Sequence, residues 1–506
     1  MPEIVDVAIV GFGPVGAALA NLLGQAGLSV AVFEREAAIY PLPRAIHFDG
    51  EVMRVFHAMG LRDAVESVSR PGDKPMRFVN ASGRTLLVRG GTSLDGPHGC
   101  ANNHYFHQPE LEAMLREGVK RFPAVRVHRR HEVRAIEPRG DAVRVTVDNL
   151  ADQCQVELDA RYVVGCDGAR SLVRRTMGSP MEDLGLHQPW LVFDALLKRD
   201  ASLPDHTVQY CNPSRPATYC NVIGNRRRWE IMLMPGDDEA AIAKPESVWQ
   251  LVSRWISPAD ADIERAVVYT FHSVIARGWR AGRLLLAGDS AHQTPPFLGQ
   301  GLCAGIRDAA NLAWKLALVL RGAADDRLLD TYESERSPHV REFIALAVRL
   351  GEVIQTTDPA VAAERDRKFD AGAPEIFEFP APGLGPGVHT GGGTPVGQPF
   401  PQPMLADGRR LDAAVGDGFA LIATRACLAA VDGATDARLA AAGVTRLDDT
   451  HPALAAWLAD HDSAAVLIRP DRYIAGRAAD GAGVAALAAL LPQRGTPAHT
   501  HGAASA

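Results

Sequence analysis

Gly11-Phe12-Gly13-Pro14-Val15-Gly16 spells G-x-G-x-x-G between two apolar runs, residues 5–10 and 17–24. In this pattern the first glycine permits a tight turn, the second admits a pyrophosphate against the backbone, and the third lets helix and strand pack closely. The amides and dipole of the helix that follows favour the phosphate charge. Glu34 closes the next apolar run, 29–33, at about the ~20-residue spacing of an acid that bonds a ribose hydroxyl. With Glu36 close behind, Glu34 also reads as a surface carboxylate. The turn does not separate NAD from FAD. A second chemistry-bearing stretch, 283–301, reads RLLLAGDSAHQTPPFLGQG. Asp289 offers an acceptor for sugar-like hydroxyls beyond an apolar strand, though alone it reads as a helix N-cap. Gly299 and Gly301 permit close backbone approach, and a helix opening there stabilises negative charge. A third stretch, Cys166-Asp167-Gly168-Ala169-Arg170-Ser171, reads in isolation as a strand-ending turn capped by Asp167.

These groups need a scaffold. Residues 5–33 read as strand, glycine turn, helix and strand, and the apolar strands 161–165 and 283–287 each end at Gly/Asp pairs. Strand ends of that kind suit an open α/β sheet whose ligands sit beyond the carboxyl ends. From 189 to 279 the character changes to β-segments over 190–197, 207–211, 217–222, 228–234 and 266–275, rich in Val, Tyr and Trp. They predict an antiparallel sheet inserted into the dinucleotide fold. After Gly301, Ile306, Ala309, Ala313, Leu316 and Leu320 recur at helical spacing, with Arg307, Asn311 and Lys315 on the other face. A polar helical stretch follows to about 370, and the Pro/Gly-rich residues 371–403 read as a linker. The expected divisions are a discontinuous dinucleotide-binding domain (1–75, 99–185, 280–370) and an inserted β-rich domain (76–98, 186–279). A C-terminal domain (404–490) with a strand at 464–469 and a disordered tail (491–506) complete the chain.

The 283–301 stretch resembles the G-D-x-A-H-x-x-P-P-x-x-G-Q-G motif of the class A FAD-dependent aromatic hydroxylases, the para-hydroxybenzoate hydroxylase fold. The resemblance implies an α/β architecture: a Rossmann-like FAD-binding domain, an inserted antiparallel β-sheet substrate domain and a C-terminal thioredoxin-like domain without the redox C-x-x-C. It implies FAD held by Gly11, Gly13, Gly16, Glu34, Arg35, Arg44, Gln108, Asp167, Asp289, Pro296, Gly299, Gly301 and Leu302. The stretches 209–219, 226–235 and 466–475 look most like the 3-(3-hydroxyphenyl)propionate hydroxylase branch. The implied chemistry is reduction of FAD by NADH (or NADPH) and reaction with O2 to a C4a-hydroperoxide. That species hydroxylates a phenol at the ortho position to give a catechol. The substrate expected is 3-(3-hydroxyphenyl)propionate, with resorcinol, a polyketide phenol or a quinoline-type ring as alternatives.

His47, just after the Arg44 loop, is the candidate base, and equally reads as a hydrogen-bonded structural histidine. Tyr219, Met232 and Pro295 are the candidate pocket residues. His292 reads as positional. Arg215, Arg226 and Arg228 are possible carboxylate partners that read mostly as surface residues. A hydrophobic fraction of 47%, a charged fraction of 22% and a net charge of −7 describe a globular chain with no pull towards nucleic acid. No stretch reaches the roughly 20 apolar residues that span a bilayer. The seven scattered cysteines form no C-x-x-C pair, which suits a reduced, cytoplasmic setting. His104 and His107 lack the companions of a metal site. A homodimer is a family-level expectation. The halogenase W-x-W-x-I-P segment is missing, and a non-catalytic FAD-binding protein is the reading from another class.

Overall fold

The structure, a computed structural model, describes residues 4–41, 44–369, 372–391 and 393–493. Among them the strands Val125–Arg129, Val30–Glu34, Ile4–Val10, Cys154–Gly165 and Leu284–Leu286 lie side by side in that order, all parallel. The Ile4–Val10 strand sits at the centre, and its inner residues Val7, Ala8 and Ile9 are fully buried. That explains an unbroken apolar run in place of alternation. The helices Pro14–Gln25 and Gly301–Leu320 pack against one another over it. The chain turns at Gly11, Cys166 and Ala287 where these strands end, which gathers the three glycine-bearing segments at one crevice.

A nine-stranded sheet stands against that crevice. It contains Ala261–Ala276, Met181–Leu197, Arg226–Met232, Ala217–Asn221 and Val208–Tyr210, which pair antiparallel in sequence. Alternation divides its two faces. Leu191, Phe193, Tyr219, Trp229 and Ile231 fill a separate core beneath the helix Pro245–Val252. Val192, Asp194, Thr218, Cys220, Arg228 and Glu230 have the opposite parity. Residues Arg77–Val79 and Thr85–Arg89 join the same sheet.

The segment expected as a linker is not a free spacer. Glu375–Phe377 adds a strand beside Thr85–Arg89, and Leu384, Val388 and Phe400 are buried. Proline and glycine deny it a regular ladder, so its composition reads as spacer while its apolar residues anchor it. Beyond it, a four-stranded sheet runs Thr445–Asp448, Ala420–Ala423, Ala465–Ile468, Ile474–Ala478, with the first pair parallel and the rest antiparallel. This is a β-α-β unit followed by a hairpin and the closing helix Val484–Ala489. Leu491, inside the expected tail, is buried; residues 494–506 lie outside the described ones.

The supposed outer face of the Gly301–Leu320 helix is buried too. Lys315 and Arg469 both donate to Glu335, at 2.7 and 2.8 Å, and Arg307 bonds Asp49 and Glu51 at 2.7 and 2.6 Å. Arg54 pairs with Asp412, and Tyr473 donates to Glu51 at 2.6 Å. The C-terminal unit therefore closes on a polar layer of the first domain. No helix among the described residues is long and apolar enough to cross a membrane.

Candidate active site

A cavity of about 560 Å³ opens where the parallel sheet's carboxyl edge meets the second sheet. One end is built from the glycine turn. Gly11 has φ +100°, and a Cβ there would lie 2.4 Å from the Cys166 carbonyl oxygen. A Cβ on Gly16 would lie 2.1 Å from the Gly11 oxygen, whereas one on Gly13 would meet nothing within 4 Å. Two glycines thus make the turn and the third faces open space. The Pro14–Gln25 helix begins there with no side-chain cap and no acid in its first turn, so its free amides point at whatever anion enters.

Gln108 Oε1 accepts from the backbone N–H groups of Arg44 and Ala45, at 2.9 and 2.7 Å. The Arg44 carbonyl accepts from Arg228 Nη1 at 2.6 Å, which clamps this loop between the helix Gln108–Val119 and the second sheet. Asp289 projects from the end of the Leu284–Leu286 strand into the cavity, and no side chain or amide of the described residues bonds it. The side chain is exposed to the cavity, and desolvation by the surrounding walls pushes its carboxyl above the ordinary range, against the pull of His292 and Arg44. Beneath it, Asp308 accepts from His292 at 2.6 Å, Arg336 at 3.0 Å and the Gly288 N–H at 3.1 Å. His292 is therefore a positioning residue, as its place in the motif suggests. Pro296, Gly299, Gly301 and Leu302 continue the wall, and the Gly301–Leu320 helix also begins uncapped by any side chain.

Three of the expected cofactor residues stand behind this wall. Glu34 accepts from the Phe12 and Glu36 N–H groups, both at 2.9 Å, and so pins the glycine turn. Arg35 is exposed and pairs with Glu36. Asp167 accepts from the Leu172 and Val173 N–H groups at 2.6 and 3.3 Å. Its neighbours Cys166, Gly168 and Ala169 line the cavity, and its second oxygen is buried without a partner.

The other end of the cavity is polar. Thr207, Gln209, Thr218, Cys220, Arg228, Glu230 and Arg265 line it from the second sheet, with Met76, Arg89 and Tyr105 beside them. Asp194 holds Arg228 at 2.7 Å and Arg265 at 2.9 Å. Burial raises the Glu230 carboxyl, with Arg228 opposing. His47 lines the same end. Its Nε2 lies 3.0 Å from Asn103 Oδ1, which places the proton on Nε2 and leaves Nδ1 facing Gly299. Burial, reinforced by Arg89, lowers its pKa to about 4.

The expected pocket residues fall elsewhere. Tyr219 belongs to the far face of its strand, where its hydroxyl donates to the Pro204 carbonyl at 2.9 Å. Met232 packs with Trp190, Phe297 and Leu298 under the cavity floor, and Pro295 is buried outside the lining. Arg228, read from sequence as a surface group, is 1% exposed. Arg89, Tyr105, Glu230 and Arg265 were not singled out. The Arg228-x-Glu230 alternation, with apolar Trp229 and Ile231 between and after, was the available signal.

The residues fit a flavin dinucleotide: an open cradle at Gly13, an unpartnered carboxylate at Asp289 and an uncapped helix start at Gly301. The FAD binding domain family matches residues 4–347, and a second family, the HcaD C-terminal domain, matches 423–493. The chain is 37% identical over 522 residues to a probable NADH-specific resorcinol 4-hydroxylase of Rhodococcus jostii (strain RHA1), covering 97% of this chain and 95% of that protein. It is also 37% identical, over 532 residues, to a 3-(3-hydroxy-phenyl)propionate/3-hydroxycinnamic acid hydroxylase of Burkholderia cenocepacia (strain HI2424), covering 96% of each. Among solved structures, a ternary complex of aklavinone-11 hydroxylase with FAD and aklavinone superposes with a TM-score of 0.83 at 23% identity, over 97% of this chain and 99% of that one. That last likeness is one of fold.

Proposed function

The chain belongs to the FAD binding domain family of flavoprotein aromatic hydroxylases, and from that premise we propose that it converts a phenol to a catechol by ortho-hydroxylation, with 3-(3-hydroxyphenyl)propionate as substrate and NADH as reductant. The observation that carries this reading is a single cavity: its glycine-turn end suits a dinucleotide, and its other end is a polar sheet face that closes over it. FAD, when bound, supplies the redox chemistry, taking reducing equivalents from NADH and activating O2 so that one oxygen atom reaches the ring.

The protein's own groups bind, orient and exclude water. The uncapped amides after Gly13 hold the pyrophosphate, and Asp289 accepts from ribityl hydroxyls. The uncapped start of the Gly301–Leu320 helix favours negative charge at the flavin's pyrimidine end. Arg44, Gln108, Pro296, Gly299 and Leu302 shape the walls between, while Glu34 and Asp167 fix the backbone turns. At the phenol, His47 offers Nδ1 as a neutral acceptor. A phenol near 10 and an imidazole held at about 4 differ by roughly six pKa units, so full proton transfer to His47 costs about 8 kcal/mol. His47 therefore orients and polarises the hydroxyl instead of carrying its proton away. The C-terminal unit, read as thioredoxin-like, lacks a C-x-x-C pair and serves as a structural clasp.

The test is substrate-dependent NADH oxidation with product identification for 3-(3-hydroxyphenyl)propionate and resorcinol. The expected result is stoichiometric catechol from the phenylpropionate. Turnover of resorcinol alone would move the chain to the branch of its Rhodococcus relative. Flavin without product from either phenol would overturn the reading.

A further inference from the structure

Arg89 ends the strand Thr85–Arg89 and lines the polar end of the cavity, yet is only 7% exposed. The other buried arginines of this region each face an acid: Arg228 and Arg265 share Asp194, with Arg265 Nε and Nη1 making no hydrogen bond, and Arg307, behind the wall, holds Asp49 and Glu51. Arg44, at the phosphate end, is exposed. The Arg89 side chain has no hydrogen bond or ion pair among the described residues, and its Nε is buried without an acceptor. Asp49, the carboxylate that acts on it most, is already committed to Arg307 at 2.7 Å. Its guanidinium lies 3.6 Å from the Phe379 ring centroid, a contact that fixes its plane before any ligand arrives. Burial draws its pKa down to about 10, so it remains a cation at neutral pH. An uncompensated buried cation is costly unless a partner supplies the opposite charge. His47, close enough to feel Arg89, presents a hydrogen-bond acceptor to the same space. A ligand that satisfies both groups carries a hydroxyl at one end and an anion at the other.

We propose that Arg89 anchors the carboxylate of an acidic phenol and is the residue that separates such substrates from neutral ones like resorcinol. The proposal rests on the reading of this cavity as a phenol site. The guanidinium's planar fork matches a carboxylate in two parallel hydrogen bonds, which lysine cannot reproduce. Phe379 comes from the segment after the Glu375–Phe377 strand. That proline- and glycine-rich segment thus helps build the specificity pocket.

The test uses FAD-loaded wild type, Arg89→Gln and Arg89→Lys, titrated without NADH and followed by the flavin absorbance change. The probes are 3-(3-hydroxyphenyl)propionate and its neutral analogue 3-propylphenol. For wild type the acid is expected to bind about 100-fold more tightly than the neutral phenol. Arg89→Gln should remove that preference while leaving 3-propylphenol binding within about twofold, and Arg89→Lys should fall between. Equal wild-type affinity for both probes would overturn the proposal without any variant. A parallel loss for both in Arg89→Gln would also overturn it and place Arg89 against the phenolic oxygen. Tight binding of the neutral phenol alone refutes the anchor and leaves the hydroxylase reading intact. A flavin spectrum that responds to neither phenol removes both.

Discussion

Asp289→Ala should weaken cofactor binding and leave the stability of the FAD-free protein nearly unchanged. The carboxylate faces the cavity with no protein partner among the described residues and is exposed to solvent there. Solvent screens an exposed charge, so its removal changes the FAD-free fold little. With FAD present, the same oxygens accept from hydroxyls, at about 1.5–3 kcal/mol for each hydrogen bond to a charged group. Two such bonds at the lower figure give about 3 kcal/mol, or about a 150-fold rise in Kd. At a free FAD concentration 100 times the wild-type Kd, ligand linkage stabilises wild type by about 2.7 kcal/mol and the variant by about 0.3 kcal/mol. Fluorescence titration of FAD into the stripped proteins measures the first quantity, and thermal unfolding with and without FAD measures the second. The expected pattern is weaker FAD binding, an FAD-free Tm close to wild type, and a lost FAD-dependent Tm increment. An unchanged Kd refutes the role given to Asp289. A strongly destabilised FAD-free variant refutes its reading as a side chain without protein partners.

Two other outcomes follow from buried groups. His47, with its pKa at about 4 against an ordinary 6.5, stays neutral across pH 6–8 and adds no limb to the kcat/KM profile there. Its stability contribution is complete above about 6.5 and falls as pH drops towards 4, by about 3 kcal/mol in total. His47→Asn should flatten that part of the acid-side loss in urea unfolding at pH 7 and 4.5, and an unchanged slope counts against the burial argument. Glu335→Ala should cost about 3–5 kcal/mol, because it strands the fully buried Lys315 cation and leaves Arg469, equally buried, with Asp471 as its remaining acid. Denaturant unfolding measures it, and a loss under about 1 kcal/mol means the layer is wetter than the geometry implies.

The sequence by itself determined the dinucleotide end of the site. Each of its parts is a short contiguous run whose backbone demands are local: Gly11 and Gly16 where no Cβ fits, Gly13 where the backbone must be bare, Asp289 beyond an apolar strand. Strand and helix periods placed those runs on their elements, and the β-rich insertion was legible from Val, Tyr and Trp content. Tertiary structure alone decided the phenol end. There the lining residues come one at a time from alternate positions of several strands, and pairing register chooses which parity faces the cavity. Tyr219 and Thr218 are neighbours in sequence, yet Thr218 lines the site while Tyr219 fills the opposite core. Partnership is equally non-local. Nothing near Arg228, Arg307 or Lys315 in the chain foretells Asp194, Asp49 or Glu335, so whether an arginine is a surface charge, a buried strut or an unpaired anchor such as Arg89 emerges only when the sheets and the C-terminal clasp close.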